Sequence, residues 1–555
     1  MDKVWLRSYP PHVPAQVDTA KLRSLKQLLE QTCAEHADLV AYVQMGTELT
    51  YRRLDQLTRA FAAWLQHAGF RKGDRIAIML PNTLQYPIAM FGALRAGLIV
   101  VNTNPLYTAH ELEHQLTDCG AAGVLVLENF AHVVQQVLPR TSVKHVLVTA
   151  AGDLLKFPKS YVVNFVVRHV RKHVPVWNIP GAVSFSAALN RALKLPLAPV
   201  EVGPDDLAFL QYTGGTTGVA KGAMLSHGNV ATNVLQAEAW LGGNFRDEPG
   251  VLITAIPLYH IFALSGNCML FARLGWKNVL IINPRDIPAF VAELKRHPFD
   301  FISGVNTLFN ALLHAPGFDQ VDFSKLKVSL GGGMAVQEAV AKRWKEVTGC
   351  TLTQAWGLTE TSPAACINPN DEPFNGSIGL PISSTEIAIK DDAGNDLALG
   401  TIGEICVRGP QVMRGYWNRP DETAKVMLPG GWLRTGDVGR MDQRGFVYIE
   451  DRKKDMILVS GFNVYPNEVE AAAVTCPGVL EVAAVAQPDE RSGEVVALFV
   501  VRKDPALTEK EIIDCCRQSL AAYKIPKHVY FRTELPKSNV GKILRKTLRE
   551  ELAKA

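Results

Sequence analysis

Residues 206–227 read DLAFLQYTGGTTGVAKGAMLSH, an apolar run that stops in a loop of glycine and threonine. Three threonines (Thr213, Thr216, Thr217) and three glycines (Gly214, Gly215, Gly218) precede Lys221, and Gly222 follows it. That density weakens helix and strand alike, so packing does not explain it. Such a loop exposes backbone N–H groups, hydroxyls and one cation together, the groups that hold phosphate oxygens. The P-loop pattern GxxxxGK[ST] does not fit, because Ala220 precedes Lys221 and Gly222 follows it. No dinucleotide fingerprint opens a helix here either. The stretch is therefore a phosphate holder of another kind.

Outward from this loop, strand and helix patterns alternate from about 206 to 357. The runs DLAFLQY, VLITAIPL, NVLIIN, FDFISGV, KVSLGGG and TLTQAWG predict short buried strands. Between the last two, VQEAVAKRWKEVTG predicts a helix with Val336, Ala339, Val340, Trp344 and Val347 on one face and Gly349 as its cap. This alternation argues for α/β layers with parallel strands, and RIAIML through HVLVTA predicts a second α/β subdomain. After about 384 the texture becomes that of hairpins, with DAGND as a turn, which predicts a β-rich subdomain. From about 452 a small α+β unit follows, with NEVEAAAVTCPG as helix and EVAAVAQ and VVALFVV as strands. The charge run EDRKKD before it reads either as a hinge or as a solvated hairpin end.

A chain of 555 residues exceeds one compact core. Apolar residues at 47% and charged residues at 20% describe an ordinary globular protein. A net charge of +4 with no Lys/Arg block argues against nucleic acid as a partner. The nine cysteines are scattered without a CxxC pair, which suits reduced thiols and a cytoplasmic setting. MDKVWLRSYPPHVP has no apolar signal-peptide region, and VLITAIPLYHIFALSGNCMLFARL is broken by Pro257, His260, Gly266 and Asn267. No segment therefore reads as a spanning helix of ~20 apolar residues. The segment 156–177, KFPKSYVVNFVVRHVRKHVPVW, has Val162, Phe165, Val166 and Val170 near one helical face and Arg168, Arg171 and Lys172 elsewhere. Such a helix either rests on anionic lipid or packs on its own domain.

The loop YTGGTTGVAKG resembles the signature loop of AMP-forming acyl-CoA synthetases, within the wider adenylate-forming superfamily. The resemblance is an ordered set along the whole chain: AIPLYHIFAL, GGGMA, QAWGLTET, WLRTGDVG, DRKKDMILVSGFNVYPNEVE and PKSNVGKILRKTLR. It extends to the bacterial long-chain fatty acid ligases. It implies an α/β fold, with a large N-terminal domain of α/β subdomains plus a β-rich subdomain (1–450) and a small mobile α+β C-terminal domain (451–555) that turns about a hinge near Asp451.

The implied reaction has two halves. A carboxylate attacks the α-phosphate of ATP, giving acyl-AMP and pyrophosphate; the thiol of coenzyme A then displaces AMP. By this resemblance Thr213, Gly214, Gly215, Thr216, Thr217, Gly218 and Lys221 hold phosphates, while Gly331, Gly332, Gly333, Trp356, Gly357 and Thr359 line the adenine side. Asp437 and Arg452 meet the ribose, and Glu360 with Thr216 meets Mg²⁺, a hard ion that prefers oxygen ligands. Trp356 stands where many relatives carry tyrosine. Lys542 would bridge carboxylate and α-phosphate, His260 would gate the thiol or the carboxylate, and Gly461 would line the pantetheine path. On position alone Glu360 and Lys542 read as solvated charges.

For the acyl tail, IFALSGNCMLF and GVNTLFNALL, with Asn267, Gly304 and Val305, are the expected lining, and neither segment carries a cation. The resemblance therefore implies a medium- or long-chain fatty acid as substrate. ATP, Mg²⁺ and coenzyme A would serve the reaction, in a cytoplasmic enzyme with a peripheral contact on the inner face of the membrane. Oligomeric state is left open. The alternatives are a ligase that loads acyl-AMP onto a carrier protein and a catalytically inactive nucleotide-binding regulator.

Overall fold

The computed structural model describes residues 3–213, 220–245, 248–489, 491–538 and 541–554. Among them four sheets form two layered α/β bodies, a hairpin body and a small C-terminal unit. All six strands expected between 206 and 357 are present: Leu207–Thr213, Val251–Thr254, Lys277–Leu280, Phe301–Gly304, Val328–Gly332 and Leu352–Gly357. Five of them, all but Leu207–Thr213, pair in parallel within a nine-stranded sheet. Leu207–Thr213 belongs instead to a seven-stranded sheet with Arg75–Met79, Ile99–Asn102, Gly123–Leu127 and His145–Thr149. Its neighbours are Ile99–Asn102, parallel, and Lys221–Ser226, antiparallel. Parallel strands buried on both faces need continuous apolar runs, which VLIT and VLVL supply.

The helix Glu338–Thr348 closes on Gly349 at φ +74°, the left-handed cap the sequence predicts. Its buried face carries Val340, Ala341 and Trp344, with Val336 buried just ahead of it; Ala339, expected inward, is exposed. Trp344 explains the rotation. Its indole N–H donates to Ser329 Oγ at 2.9 Å, and its ring packs edge-on against Phe309 with centroids 4.7 Å apart.

The hairpin region forms an antiparallel sheet of Glu386–Lys390, Gly403–Arg408, Trp432–Met441, Met427–Leu428 and Val447–Arg452. EDRKKD is the end of its last strand and the turn beyond, with Asp437 opposite Arg452 and Val438 opposite Asp451. The C-terminal unit is built on Ile457–Val459, Phe462–Val464, Val479–Asp489, Gly493–Arg502 and His528–Arg532. Its helix Pro466–Val474 covers a separate apolar core of Val469, Val482, Leu498 and Ile512. No helix of the described residues is long and apolar enough to cross a membrane.

Candidate active site

The carboxyl ends of parallel strands face one cavity of about 730 Å³, the usual place for a ligand in open α/β sheets. Thr213, Gly332 and Gly357 reach it from strand ends, His260 and Phe262 from the loop after Val251–Thr254, and Lys542 from the C-terminal segment.

Thr213 and Lys221 stand opposite each other as the last paired residues before the glycine-rich loop, so the sheet fixes both ends of that loop. Gly214, Gly215, Thr216, Thr217 and Gly218 lie outside the described residues. The Lys221 ammonium forms an ion pair with Glu422 and lies 5.2 Å from the centre of the Tyr416 ring. Hydrogen bonds from Lys221 and then Lys425 hold the Glu422 carboxyl down to about 2.

Tyr416 also donates from its hydroxyl to Glu360 Oε1 at 2.6 Å. Burial, and then the Glu360 charge, raise the Tyr416 phenol well above its ordinary range, so it stays a donor. Glu360 is further fixed through its backbone, whose carbonyl accepts from Met413 N at 2.7 Å. It faces the cavity beside Thr359. No cluster of three or more metal-ligating side chains occurs among the described residues. A single carboxylate suits Mg²⁺, which binds proteins through one or two carboxylates and takes its remaining oxygens from phosphate and water.

GLTET turns sharply here. A Cβ on Gly357 would lie 1.8 Å from the Pro363 carbonyl oxygen, so only glycine permits this close return of the chain. Next to it Trp356 is buried and its indole N–H donates to Asp437 Oδ2 at 2.9 Å. The other oxygen of Asp437 pairs with Arg452 Nε at 3.0 Å. Asp437 is itself buried and stands behind the cavity wall, while Arg452 lines it. A carboxylate held by two donors at fixed angles can accept from a diol, and the guanidinium beside it can donate to one.

Lys542 projects into the same space. Its Cε is 3.5 Å from where a Cβ on Gly333 would stand, and Gly333 has φ +78°. Thr307 Oγ1 donates to the Gly541 carbonyl at 3.3 Å, tying this segment to the large body. Burial, aided by Arg452 and opposed by Asp437 and Glu360, lowers the Lys542 ammonium to about 8. Burial and then Lys542 push His260 down to about 3, so its ring is neutral, and Nδ1 accepts from Phe262 N at 3.3 Å.

The same cavity is also lined by the apolar side chains of Ala237, Leu241, Ile261, Leu270 and Ile367. The expected lining by Asn267, Gly304 and Val305 is not what the fold provides. Asn267 is fully buried and bonds Thr254 Oγ1 and Ser303 Oγ, at 3.0 and 2.9 Å. A Cβ on Gly304 would meet the Phe309 ring at 2.9 Å, so that glycine serves packing, and Val305 lies by Gly333 and Gly541. Gly331 is likewise a packing residue, 2.7 Å from Val336 by the same measure. Gly461 sits in an exposed turn between Ile457–Val459 and Phe462–Val464, outside the cavity.

Sequence reasoning missed Tyr416, Arg419, Glu422, Thr435 and Lys454, all of which line the site. The signal for three of them was RGYWNRPDE, whose residues 414–417 run beside the strand after the glycine-rich loop: Met224 N donates to Gly415 O and Trp417 N to Gly222 O.

Comparison with known proteins identifies the family and the fold. The model of the AMP-binding enzyme family matches residues 29–417, and that of the AMP-binding enzyme C-terminal domain matches residues 468–542. A long-chain-fatty-acid–CoA ligase of Escherichia coli O157:H7 is 54% identical over 99% of this chain and 98% of the relative. One from Salmonella typhimurium is 55% identical with the same coverage. The crystal structure of the anthranilate CoA ligase AuaEII in complex with anthranoyl-AMP superposes with a TM-score of 0.85 at 25% identity, covering 97% of this chain and 99% of that one. The chain belongs to the AMP-binding enzyme family, with the fold of the adenylate-forming ligases.

Proposed function

We propose that this enzyme uses ATP to convert a medium- or long-chain fatty acid to acyl-AMP, and then passes the acyl group to coenzyme A. The carrying observation is one cavity with two unlike kinds of side chain. Its lining joins the charged groups of Lys221, Arg452, Lys542 and Glu360 to the apolar side chains of Ala237, Leu241 and Leu270. A carboxylate whose tail packs on the apolar side chains presents its oxygens to the cations. Both reactants are anions, so bringing them together is an electrostatic task before it is anything else.

In this reading Lys221 and the loop from Thr213 neutralise the outer phosphates, and Asp437 with Arg452 fixes the ribose. Lys542 spans the attacking carboxylate and the α-phosphate. Trp356 gives adenine an apolar surface, between the backbone at Gly332–Gly333 and Gly357–Thr359. Glu360, oriented by Tyr416, is the ligand for Mg²⁺, with Thr216 as a second oxygen. The ion supplies charge neutralisation to the phosphates. His260, neutral and near Lys542, borders the carboxylate path.

The chain divides, on this proposal, into 1–450 and a mobile 451–555 that turns near Asp451. Lys542 inside the cavity and Gly461 outside it support a rotation that exchanges the two faces for the thiol step. Asp451 is buried at the junction, where its Oδ2 accepts from Asn467 N at 2.8 Å. Burial there raises its carboxyl to about 6. Asp451→Pro would fix φ and impair one half-reaction selectively; unchanged rates in both would move the hinge elsewhere. The free state of all nine cysteines supports a cytoplasmic setting.

The decisive experiment offers the purified enzyme with MgATP a panel of acids from acetate to oleate and scores AMP and acyl-CoA together. Release of AMP and acyl-CoA rising with chain length is expected. Pyrophosphate release that needs a carrier protein, or none with any acid, would overturn the reading.

A further inference from the structure

The segment 156–176 reverses the ordinary amphipathic arrangement. Its helical part, Lys159–Phe165 continuing through Val166–Val170, has no buried residue, and neither do the flanks out to Lys156 and Val176. What holds it to the body is polar. Asn164 accepts from Gly152 N at 2.8 Å and donates to Asp153 Oδ1 at 3.0 Å; Arg168 makes a two-pronged pair with buried Glu128; Lys159 Nζ donates to Met45 O at 2.7 Å. Val163, Val166 and Val167 are half-buried on that side, while the larger apolar side chains point the other way. Phe157 is 81% exposed and Val176 97%, and Tyr161, Val162, Phe165 and Val170 are all more than half exposed. A helix that merely covers its domain would bury these large apolar side chains. A contiguous exposed apolar strip of this kind marks an interaction surface.

Charge indicates the partner. No aspartate or glutamate occurs from 154 to 200, while Lys156, Arg171 and Lys172 are exposed around the strip. A second copy of this chain is disfavoured, since a two-fold contact would set the same cations against themselves. A rigid protein partner would need pockets for side chains that stand this proud of the surface. A fluid bilayer needs none. Aromatic and branched side chains enter the acyl boundary, tyrosine suits the interface, and lysine and arginine reach back to anionic headgroups.

We infer that residues 156–176 are a membrane-docking element, with Phe157, Tyr161, Val162, Phe165 and Val176 inserting into a bilayer surface that carries anionic lipid. This rests on the proposed function only in that a lipid-activating enzyme gains from sitting where its substrate is dissolved. The surface itself is argued from exposure and charge alone.

The test floats the full-length enzyme with vesicles of phosphatidylcholine, alone or with about 30% phosphatidylglycerol. Binding to the anionic vesicles is expected to exceed that to neutral ones by about tenfold and to weaken with salt. The combined change Phe157→Ser, Tyr161→Ser, Phe165→Ser, and separately Arg171→Glu with Lys172→Glu, should each lower the bound fraction about tenfold. Both should keep pyrophosphate release with octanoate, a soluble acid. Wild-type protein left in the dense fraction, or variants that float as well as wild type, would overturn the inference. So would a concentration-dependent dimer abolished by the triple variant, which would make a second copy the occupant. Absence of pyrophosphate release from wild type that still floats would count against the proposed activity and leave the docking surface standing.

Discussion

Lys221 and Lys542 reach the same cavity from different parts of the chain and are held in contrary ways. Lys221 leaves a sheet strand, is paired with Glu422, and lies over an aromatic face. Lys542 arrives on the C-terminal segment, forms no ion pair among the described residues, and has its charge disfavoured by burial. One cation already has an anion that phosphate must displace. The other stays under-compensated until the reacting anions come to it. On the proposed function the difference amounts to a division of labour: the sheet-borne lysine would serve binding and the visiting lysine the chemical step, where stabilisation unavailable to the ground state is what accelerates.

The strongest way to break this comparison is Lys542→Ala. Loss of a charge aimed at the transition state predicts a fall of about 10³-fold in acyl-AMP formation. Thioester formation from supplied acyl-AMP should be spared within about threefold, if the lysine withdraws before the thiol arrives. Equal losses in both half-reactions, measured by single-turnover assays, would erase the distinction. The pH profile sharpens it. The charged form is the active one and its pKa in the free protein is lowered to about 8, so kcat/KM for ATP should decline about tenfold per unit as pH rises beyond that value. The limb in kcat should lie higher, because bound phosphates favour the ammonium. Lys542→Arg should push the kcat/KM limb upward, whatever it does to the rate.

The two lysines were not equally legible. Lys221 announces itself, since glycine, threonine and a cation after a buried strand have few other uses, and local chemistry alone pointed to phosphate. Lys542 sits in a polar tail that reads as solvent-exposed, and only the ordered resemblance singled it out. The strands from Leu207 to Gly357 were readable because parallel strands buried on both faces need uninterrupted apolar runs. Of the segments expected to line the acyl tail, Ile261, Phe262, Ser265, Gly266 and Leu270 reach the cavity, whereas Asn267 turns inward to bond Thr254 and Ser303, because polarity does not say which way a residue points. Tyr416 and Glu422 escaped notice because their roles come from residues 414–417 lying along the strand after the glycine-rich loop, a pairing separated by nearly two hundred positions.

A smaller effect is expected from the wall that Lys542 approaches. The indole N–H of Trp356 donates to buried Asp437. On the proposed function it is a positioning residue, acting on ribose through the carboxylate. A hydrogen bond to a charged group contributes about 1.5–3 kcal/mol. Trp356→Phe keeps the ring and removes the donor, so KM for ATP should rise by about tenfold or more with little change in kcat. Selectivity against a deoxy-ribose nucleotide should shrink at the same time, which a purely structural role would not produce. Trp356→Tyr should recover part of both.

The smallest change tests the other side of the comparison. Glu422 is half-buried, and its pair with Lys221 is partly open to water, so the contact is a weak one. Glu422→Gln removes the anion that phosphates have to displace and keeps a side chain of the same length. KM for ATP should therefore fall, by about two- to fivefold at low salt, with kcat steady. Raising the ionic strength should close the gap between variant and wild type, since screening weakens both the internal pair and the attraction of Lys221 for triphosphate. A rise in KM would mean the opposite arrangement: Glu422 would then be aiming Lys221 at its phosphate, and both lysines would be organised by their surroundings for the bound state.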